Sequence, residues 1–214
     1  RPGCACVDAA QLYQLTQETE EDGLVLEVER NGWVRVLGAG GEQLARLVGT
    51  DEKDFPTVPE GEGLTWCELE AGALGRGVGV VAHAISADDA RANLTGMHWQ
   101  WLGEDAGVFE VVATDGHRLA RATVAAGAVP EELSAVWGPG VIVPRGAIRQ
   151  LTSLMDEEVR VVEVGAGEGL WAIRQPGWEM TTRLIQGTFP QWSQLLTDIE
   201  RSDTRRVWIE VAAF

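Results

Sequence analysis

The sequence partly repeats itself. Val7, Leu12, Gln14, Leu15 and Thr16 recur as Val143, Ile148, Gln150, Leu151 and Thr152, each 136 residues later. An apolar alternation with a tryptophan follows each copy: Leu24-Val25-Leu26-Glu27-Val28 with Trp33, then Val159-Arg160-Val161-Val162-Glu163-Val164 with Trp171. Arg46-Leu47-Val48 answers to Arg183-Leu184-Ile185, and Phe55-Pro56 answers to Phe189-Pro190. A second echo relates Thr65-Trp66-Cys67-Glu68-Leu69-Glu70-Ala71 to Val207-Trp208-Ile209-Glu210-Val211-Ala212-Ala213, displaced by 142. Self-similarity at a fixed spacing marks modules in tandem, so the fold must be one that a single building block can tile. The phase of the copies predicts that the chain opens on the back half of one module (residues 1–62). A second, whole module then spans 63–200, and a third begins within 201–214. A chain in this phase reads as an internal piece of a longer protein.

The repeat of about 140 residues is an ordinary domain size, large enough for its own core. Seventeen basic against 33 acidic residues give a net charge of −16. Such a balance argues against a surface broadly attractive to nucleic acid or anionic membrane, while leaving room for a local basic stripe. Cys4, Cys6 and Cys67 are too few and too oddly numbered for a disulfide framework, which favours a reducing compartment. Cys4-x-Cys6 is at most half a metal site, because no second cysteine pair or nearby histidine completes it, so no metal or cofactor is expected. No uninterrupted apolar run reaches the roughly 18 residues of a membrane span.

Asp8 can cap a helix running to about Thr19. Strands are expected at 24–30, 33–37 and 42–48, with Asn31-Gly32 as a two-residue hairpin turn. Residues 50–63, rich in acid and containing Pro56 and Pro59, read as a linker. The second module begins with a strand at 64–70 and a helix at 71–86. Gly72, Gly75, Gly77 and Gly79 each cost that helix about 1 kcal/mol relative to alanine, so tertiary packing or close approach must hold it. Strands follow near 94–101, 107–113 and 118–124, then a Gly/Pro-rich loop at 127–140 and a strand at 141–143. A helix at 145–155 and strands at 159–164, 169–174 and 178–186 complete the unit. Each module is therefore a doubled β-α-β-β-β unit, and antiparallel strands with helices gathered on one face define an α+β architecture.

The densest motif is Phe109-Glu110-Val111-Val112-Ala113-Thr114-Asp115-Gly116-His117-Arg118-Leu119-Ala120. On residue type alone it reads as a hairpin turning at Asp115-Gly116, where glycine supplies positive φ. The rival reading is a small hydrolase with Asp115 and His117 as its acid–base pair. Such a site needs a nucleophile or metal nearby, and no companion motif supplies one. Gly75-Arg76-Gly77-Val78-Gly79 lacks the G-x-G-x-x-G spacing of a phosphate loop. Trp33, Trp66, Trp171 and Trp208 fall at repeat positions on strands, as core residues do, and His83 and His98 read as packed or surface residues.

Thr114-Asp115-Gly116-His117-Arg118-Leu119-Ala120 after an apolar strand resembles the hallmark of the bacterial DNA polymerase III beta subunit, the sliding clamp. Asp88-Asp89-Ala90-Arg91-Ala92-Asn93-Leu94-Thr95-Gly96, Val141-Ile142-Val143-Pro144-Arg145 and Arg183-Leu184-Ile185-Gln186-Gly187-Thr188-Phe189-Pro190 resemble further clamp segments in the same order and spacing. The resemblance spans the second half of domain one, all of domain two and the opening of domain three. It implies the DNA-clamp fold, with antiparallel sheets outside and helices on the inner face. It also implies a non-catalytic processivity factor in the bacterial cytoplasm, at the nucleoid. There a homodimeric ring encloses duplex DNA without reading its sequence, since phosphate contacts position a protein but do not specify a site. Arg76, Arg91, Arg145 and Arg149 are the DNA-contact candidates. A second implied function is a cleft that docks linear peptide motifs of DNA polymerase and clamp-loader subunits. Its wall would be Leu94, Thr114, Gly116, His117, Arg118, Leu119, Pro190, Gln194 and Leu195. Gln194 stands where several relatives have arginine, and the whole middle module lacks lysine. A clamp-like protein-binding module that has lost DNA sliding is therefore the alternative reading.

Overall fold

The computed structural model describes residues 4–19, 22–57, 63–155, 159–167, 169–194 and 196–197. The chain divides into two compact units, Arg1–Pro59 and Glu60–Phe214.

In the first unit, β1 (Cys6–Val7) leads into α1 (Ala9–Glu18), whose first turn is capped by the Asp8 carboxylate accepting from Gln11 N at 2.8 Å. Strands β2 (Val25–Val28), β3 (Val34–Leu37) and β4 (Gln43–Leu47) form an antiparallel sheet, and β5 (Gly49–Thr50) returns to pair with β1. Val34, Val36 and Leu47 are buried against Leu12 and Leu15 of α1. The β2–β3 connection corrects the two-residue turn expected at Asn31-Gly32. Glu29 N donates to Trp33 O at 2.7 Å, so the loop has three residues, with Gly32 at φ +80° closing it. Trp33 lies just outside β3, half-buried beneath the Arg46 guanidinium, rather than in the core.

The second unit holds the doubled motif. Its first half is β6 (Thr65–Glu70), α2 (Ala71–Ala82), β7 (Gly96–Trp101), β8 (Val108–Thr114) and β9 (Leu119–Ala125). After α3 (Glu131–Trp137) comes the second half: β10 (Val141–Pro144), α4 (Arg145–Leu154), β11 (Val161–Gly167), β12 (Leu170–Gln175) and β13 (Trp178–Arg183). The element bounds obey the sequence repeat: α1 and α4 coincide end for end at a displacement of 136 (145−9, 154−18). Each half lends its first strand to the other. The two antiparallel sheets run β10-β7-β8-β9 and β13-β12-β11-β6, so β10 pairs with β7 and β6 with β11. Bridges Leu69–Ala126 and Ile142–Ile185 join each donated strand to the far end of its own half.

One core unites these layers. Leu74, Val78 and Val81 of α2 and Ile148 and Leu151 of α4 pack on Trp99, Phe109, Val111, Val162 and Trp171, all buried. Helix α3 replaces part of the loop that the sequence predicts over 127–140. Pro130 with Glu131 and Glu132 in the first turn is a helix-start signal that the surrounding glycines and prolines mask, and buried Leu133 and Trp137 anchor the helix. Trp137 stands edge-on to Trp99 and Phe109, with centroids 5.7 and 4.7 Å apart. Of the four α2 glycines, Gly77 is the one that close approach demands. A Cβ there would sit 2.7 Å from Val124 Cγ2, whereas at Gly79 it would meet nothing.

Candidate peptide-binding cleft and helix face

Strand register assigns the side chains of the β10-β7-β8-β9 sheet to two faces. Val112 stands opposite Arg121 and His98, Thr114 opposite Leu119, and Ile142 opposite His98. These residues share the face turned away from α2 and α4, because alternate residues of a strand project to opposite sides. On that outer face lies a second, smaller core in which Leu94, Val112, Ile142, Phe189 and Trp192 are buried and Leu119, Ile185 and Leu196 half-covered.

Three elements converge there. The first is the 3-10 segment Asp89–Leu94, capped by Asp88, whose carboxylate accepts from Ala90 N at 3.1 Å and pairs with Arg91 Nε at 3.1 Å. Backbone donation and the Arg91 charge hold that carboxyl below its usual range, and the segment delivers Leu94 to the cluster. The second is the β8–β9 loop. With Thr114 paired to Leu119 it contains four residues, not the two expected, and Gly116 takes φ +90°. Asp115 Oδ1 accepts from His117 N (2.9 Å) and Arg118 N (3.0 Å), while Oδ2 pairs with Arg118 Nε (3.0 Å). The third is the chain after β13. Ile185 N donates to Ile142 O at 2.9 Å, Asn93 Nδ2 donates to Thr188 O at 2.9 Å, and the Phe189 ring stacks on His98 with centroids 4.8 Å apart.

Most of the sequence-predicted wall meets here. Leu94 and Leu119 join one cluster, with exposed Pro190 adjoining its Phe189. Thr114 is buried; its hydroxyl donates to Arg118 O (2.7 Å) and accepts from Gly116 N (3.1 Å). Gly116, His117 and Arg118 lie exposed on the loop. Gln194 is exposed and donates to Gln191 at 3.3 Å; Leu195 is outside the described residues. Sequence reasoning missed Val112, Ile142 and Trp192. Val112 and Ile142 were legible in principle as the second phase of strands that are apolar on both faces.

The loop geometry bears on the hydrolase reading. Donation by the His117 and Arg118 amides, with the Arg118 guanidinium, holds the Asp115 carboxyl down at about 2. A carboxylate so placed shapes a turn, and it is a weak base near neutral pH. Among the described residues no three His, Cys, Asp or Glu side chains converge as metal ligands, and no helix is long and apolar enough to cross a membrane.

A different surface lies over the helices. Between α2 and α4 runs a groove of about 490 Å³ lined by Gly72, Gly75, Arg76, Thr152, Met155 and Val159. Arg149, exposed, sits one turn before Thr152 on α4. Although the chain carries 33 acidic residues, neither helix contains one within its bounds. Of the four predicted arginines, Arg76 lines this groove and Arg149 is exposed on α4, whose Thr152 also lines it. Arg145 is half-buried and donates through Nη1 to Ser86 O at 3.1 Å. Arg91 belongs to the cleft instead: its Nη1 lies 2.8 Å from where a Gly116 Cβ would stand.

Two half-units that exchange first strands, two helices side by side, and an apolar cluster on the outer sheet face together define a module of the DNA-clamp fold. The chain belongs to the DNA polymerase III beta subunit family: the profile of that family's central domain matches residues 68–191. It is 29% identical over 196 residues to the beta sliding clamp of Pseudomonas putida, covering 91% of this chain and 50% of the relative. The crystal structure of the DNA polymerase III subunit beta from Pseudomonas aeruginosa superimposes with a TM-score of 0.75 at 28% identity, over 91% of this chain and 51% of that one. A sliding clamp from Bartonella birtlesii bound to griselimycin gives 0.72 at 28% identity, over 91% and 50%. The chain spans about half the length of the curated relatives it matches.

Proposed function

We propose that this chain is part of a DNA sliding clamp, a processivity factor that encircles duplex DNA and docks partner proteins by short peptide segments, with no chemistry of its own. On this reading residues 1–62 are the second half of a first clamp domain with its linker, 63–200 a complete second domain, and 201–214 the start of a third. The assembly is a homodimeric ring in the bacterial cytoplasm, at the nucleoid. The observation that carries the proposal is the outer-face cleft. Leu94, Leu119 and Phe189 arrive from three separate elements to form an apolar floor, rimmed by the polar loop 115–118, which suits the anchoring of a leucine or phenylalanine side chain. The groove between α2 and α4, with Arg76 and Arg149 and no carboxylate on either helix, supports phosphate contact and argues against the alternative of a module that has lost DNA sliding.

The test is fluorescence anisotropy with a fluorescein-labelled peptide ending in Leu-Phe, with unlabelled griselimycin as competitor. Saturable binding displaced by griselimycin, and weakened at least tenfold by Leu119→Asp, is expected. A buried carboxylate on that floor removes apolar contact and adds a desolvation penalty, which exceeds the about 1.4 kcal/mol of a tenfold change. Binding indifferent to Leu119→Asp would refute the cleft.

A further inference from the structure

We infer that Arg121 is a positioning residue of the cleft, holding the Trp192 indole, and with it the Phe189–Gln194 wall, against the outer sheet face. The inference rests on the peptide-docking reading above. Arg121 lies on β9 directly opposite Val112, a member of the small outer core. Its Nε donates to Glu110 Oε1, and that carboxylate is buried (5% side-chain exposure) while Arg121 is 44% exposed. Both project from the outer face, so one charge is buried there and the other stands partly exposed beside it. From that anchor the Arg121 Cζ lies 5.5 Å from the centroid of the Trp192 ring, within cation–π range. Trp192 is only 9% exposed and packs in the cluster with Leu94 and Leu119.

The wall needs such a clasp. Among the described residues, the main chain from Phe189 to Gln194 bonds through Trp192 N to Pro190 O at 2.8 Å and accepts at Ser193 O from the Thr197 hydroxyl at 3.2 Å, and neither bond reaches the sheet. Among the described residues, the contacts with the sheet are made by side chains, including Phe189 on His98 and Trp192 under Arg121. Glu110 fixes the guanidinium, the guanidinium fixes the indole, and the indole fixes the wall. Arginine suits this position better than lysine, because its planar group can bind a carboxylate at one edge and cover an aromatic ring with its face.

The experiment uses the same labelled peptide with wild type, Arg121→Lys, the neutral double variant Glu110→Gln/Arg121→Met, Trp192→Phe, and the combination Arg121→Lys/Trp192→Phe. Arg121→Lys keeps a charge beside Glu110, and the neutral double leaves no buried carboxylate unpaired, so both keep the fold testable. Expected are a melting temperature within a few degrees of wild type and a Kd raised about fivefold in each, as loss of a partly desolvated cation–π contact predicts. The Arg121→Lys and Trp192→Phe effects should not multiply when combined, because both break one link. A Kd within twofold of wild type for Arg121→Lys and the neutral double, while Leu119→Asp still weakens binding at least tenfold, overturns the role of Arg121 and leaves the cleft standing. Independent, multiplying effects also overturn it. No binding by wild type, or binding indifferent to Leu119→Asp, overturns both readings.

Discussion

His98 makes the stability of the second unit depend on pH in a window where its carboxylates contribute little. The ring is buried on the outer sheet face, stacked on Phe189 and pressed against the backbone at Gly140, and its Nδ1 has no partner among the described residues. Burial without a compensating charge pushes the imidazole from 6.5 down to about 4. Between these values the unfolded chain binds the proton that the folded chain refuses. Stability fully present above about pH 6.5 is therefore lost as pH falls toward 4. At about 1.4 kcal/mol per pH unit of separation, the whole loss is about 3 kcal/mol, with about 2 of it gone by pH 5. Asp115, Asp88 and Glu163 are all held below their ordinary values, so their contributions are lost below about pH 5, beneath most of this window. Urea unfolding at pH 7.5, 6.5, 5.5 and 5.0, followed by emission of the buried tryptophans Trp99, Trp137 and Trp171, reads the effect directly. His98→Gln should lower stability at neutral pH but flatten the profile between 6.5 and 5. A wild-type profile already flat there, or an equal slope in the variant, would show that the imidazole is charged or solvated in the folded state and would refute the reasoning.

Two further outcomes follow from the helices. Gly79→Ala should raise stability by about 0.5–1 kcal/mol, since it adds helix propensity into open space. Gly77→Ala should lower it despite the same gain, because its Cβ meets Val124 Cγ2 at 2.7 Å and overpacking costs about 1–3 kcal/mol; thermal melts of the pair decide, and equal signs would contradict the packing described. On the proposed clamp reading, Arg76→Gln/Arg149→Gln should weaken duplex DNA binding uniformly across sequences. It should also flatten the slope of log K against log salt by about 1.8 if each arginine meets one phosphate. An unchanged slope in a salt titration would remove both residues from the interface.

Much of the architecture was legible because the periodicities are strong. Asp8 capping, the apolar stripe of α1 and its copy in α4, and the alternation of β11 predicted elements to within a few residues. The errors arose where local chemistry admits two answers. Asn31-Gly32 and Asp115-Gly116 both favour positive φ at glycine, but that preference does not fix whether a loop has two, three or four residues. In the first case the Glu29–Trp33 bond set the length, and in the second the Thr114–Leu119 pair did. Glycine and proline around α3 outweighed its acidic first turn. That Leu94 and Leu119 lie together was legible in the sequence, but the place of Trp192 beside them was not, since nothing local to it announces a partner on β9.

The sequence by itself determined which residues share a face and how the building block recurs, because side-chain period and the 136-residue displacement are one-dimensional facts. Tertiary structure alone decided that β6 and β10 trade places between half-units. Backbone hydrogen bonds carry no side-chain identity, so strand pairing is chosen by how whole layers bury their apolar faces. The same holds for the outer surface. Val112, Arg121 and Trp192 come together only where the sheet is folded and the chain after β13 crosses it.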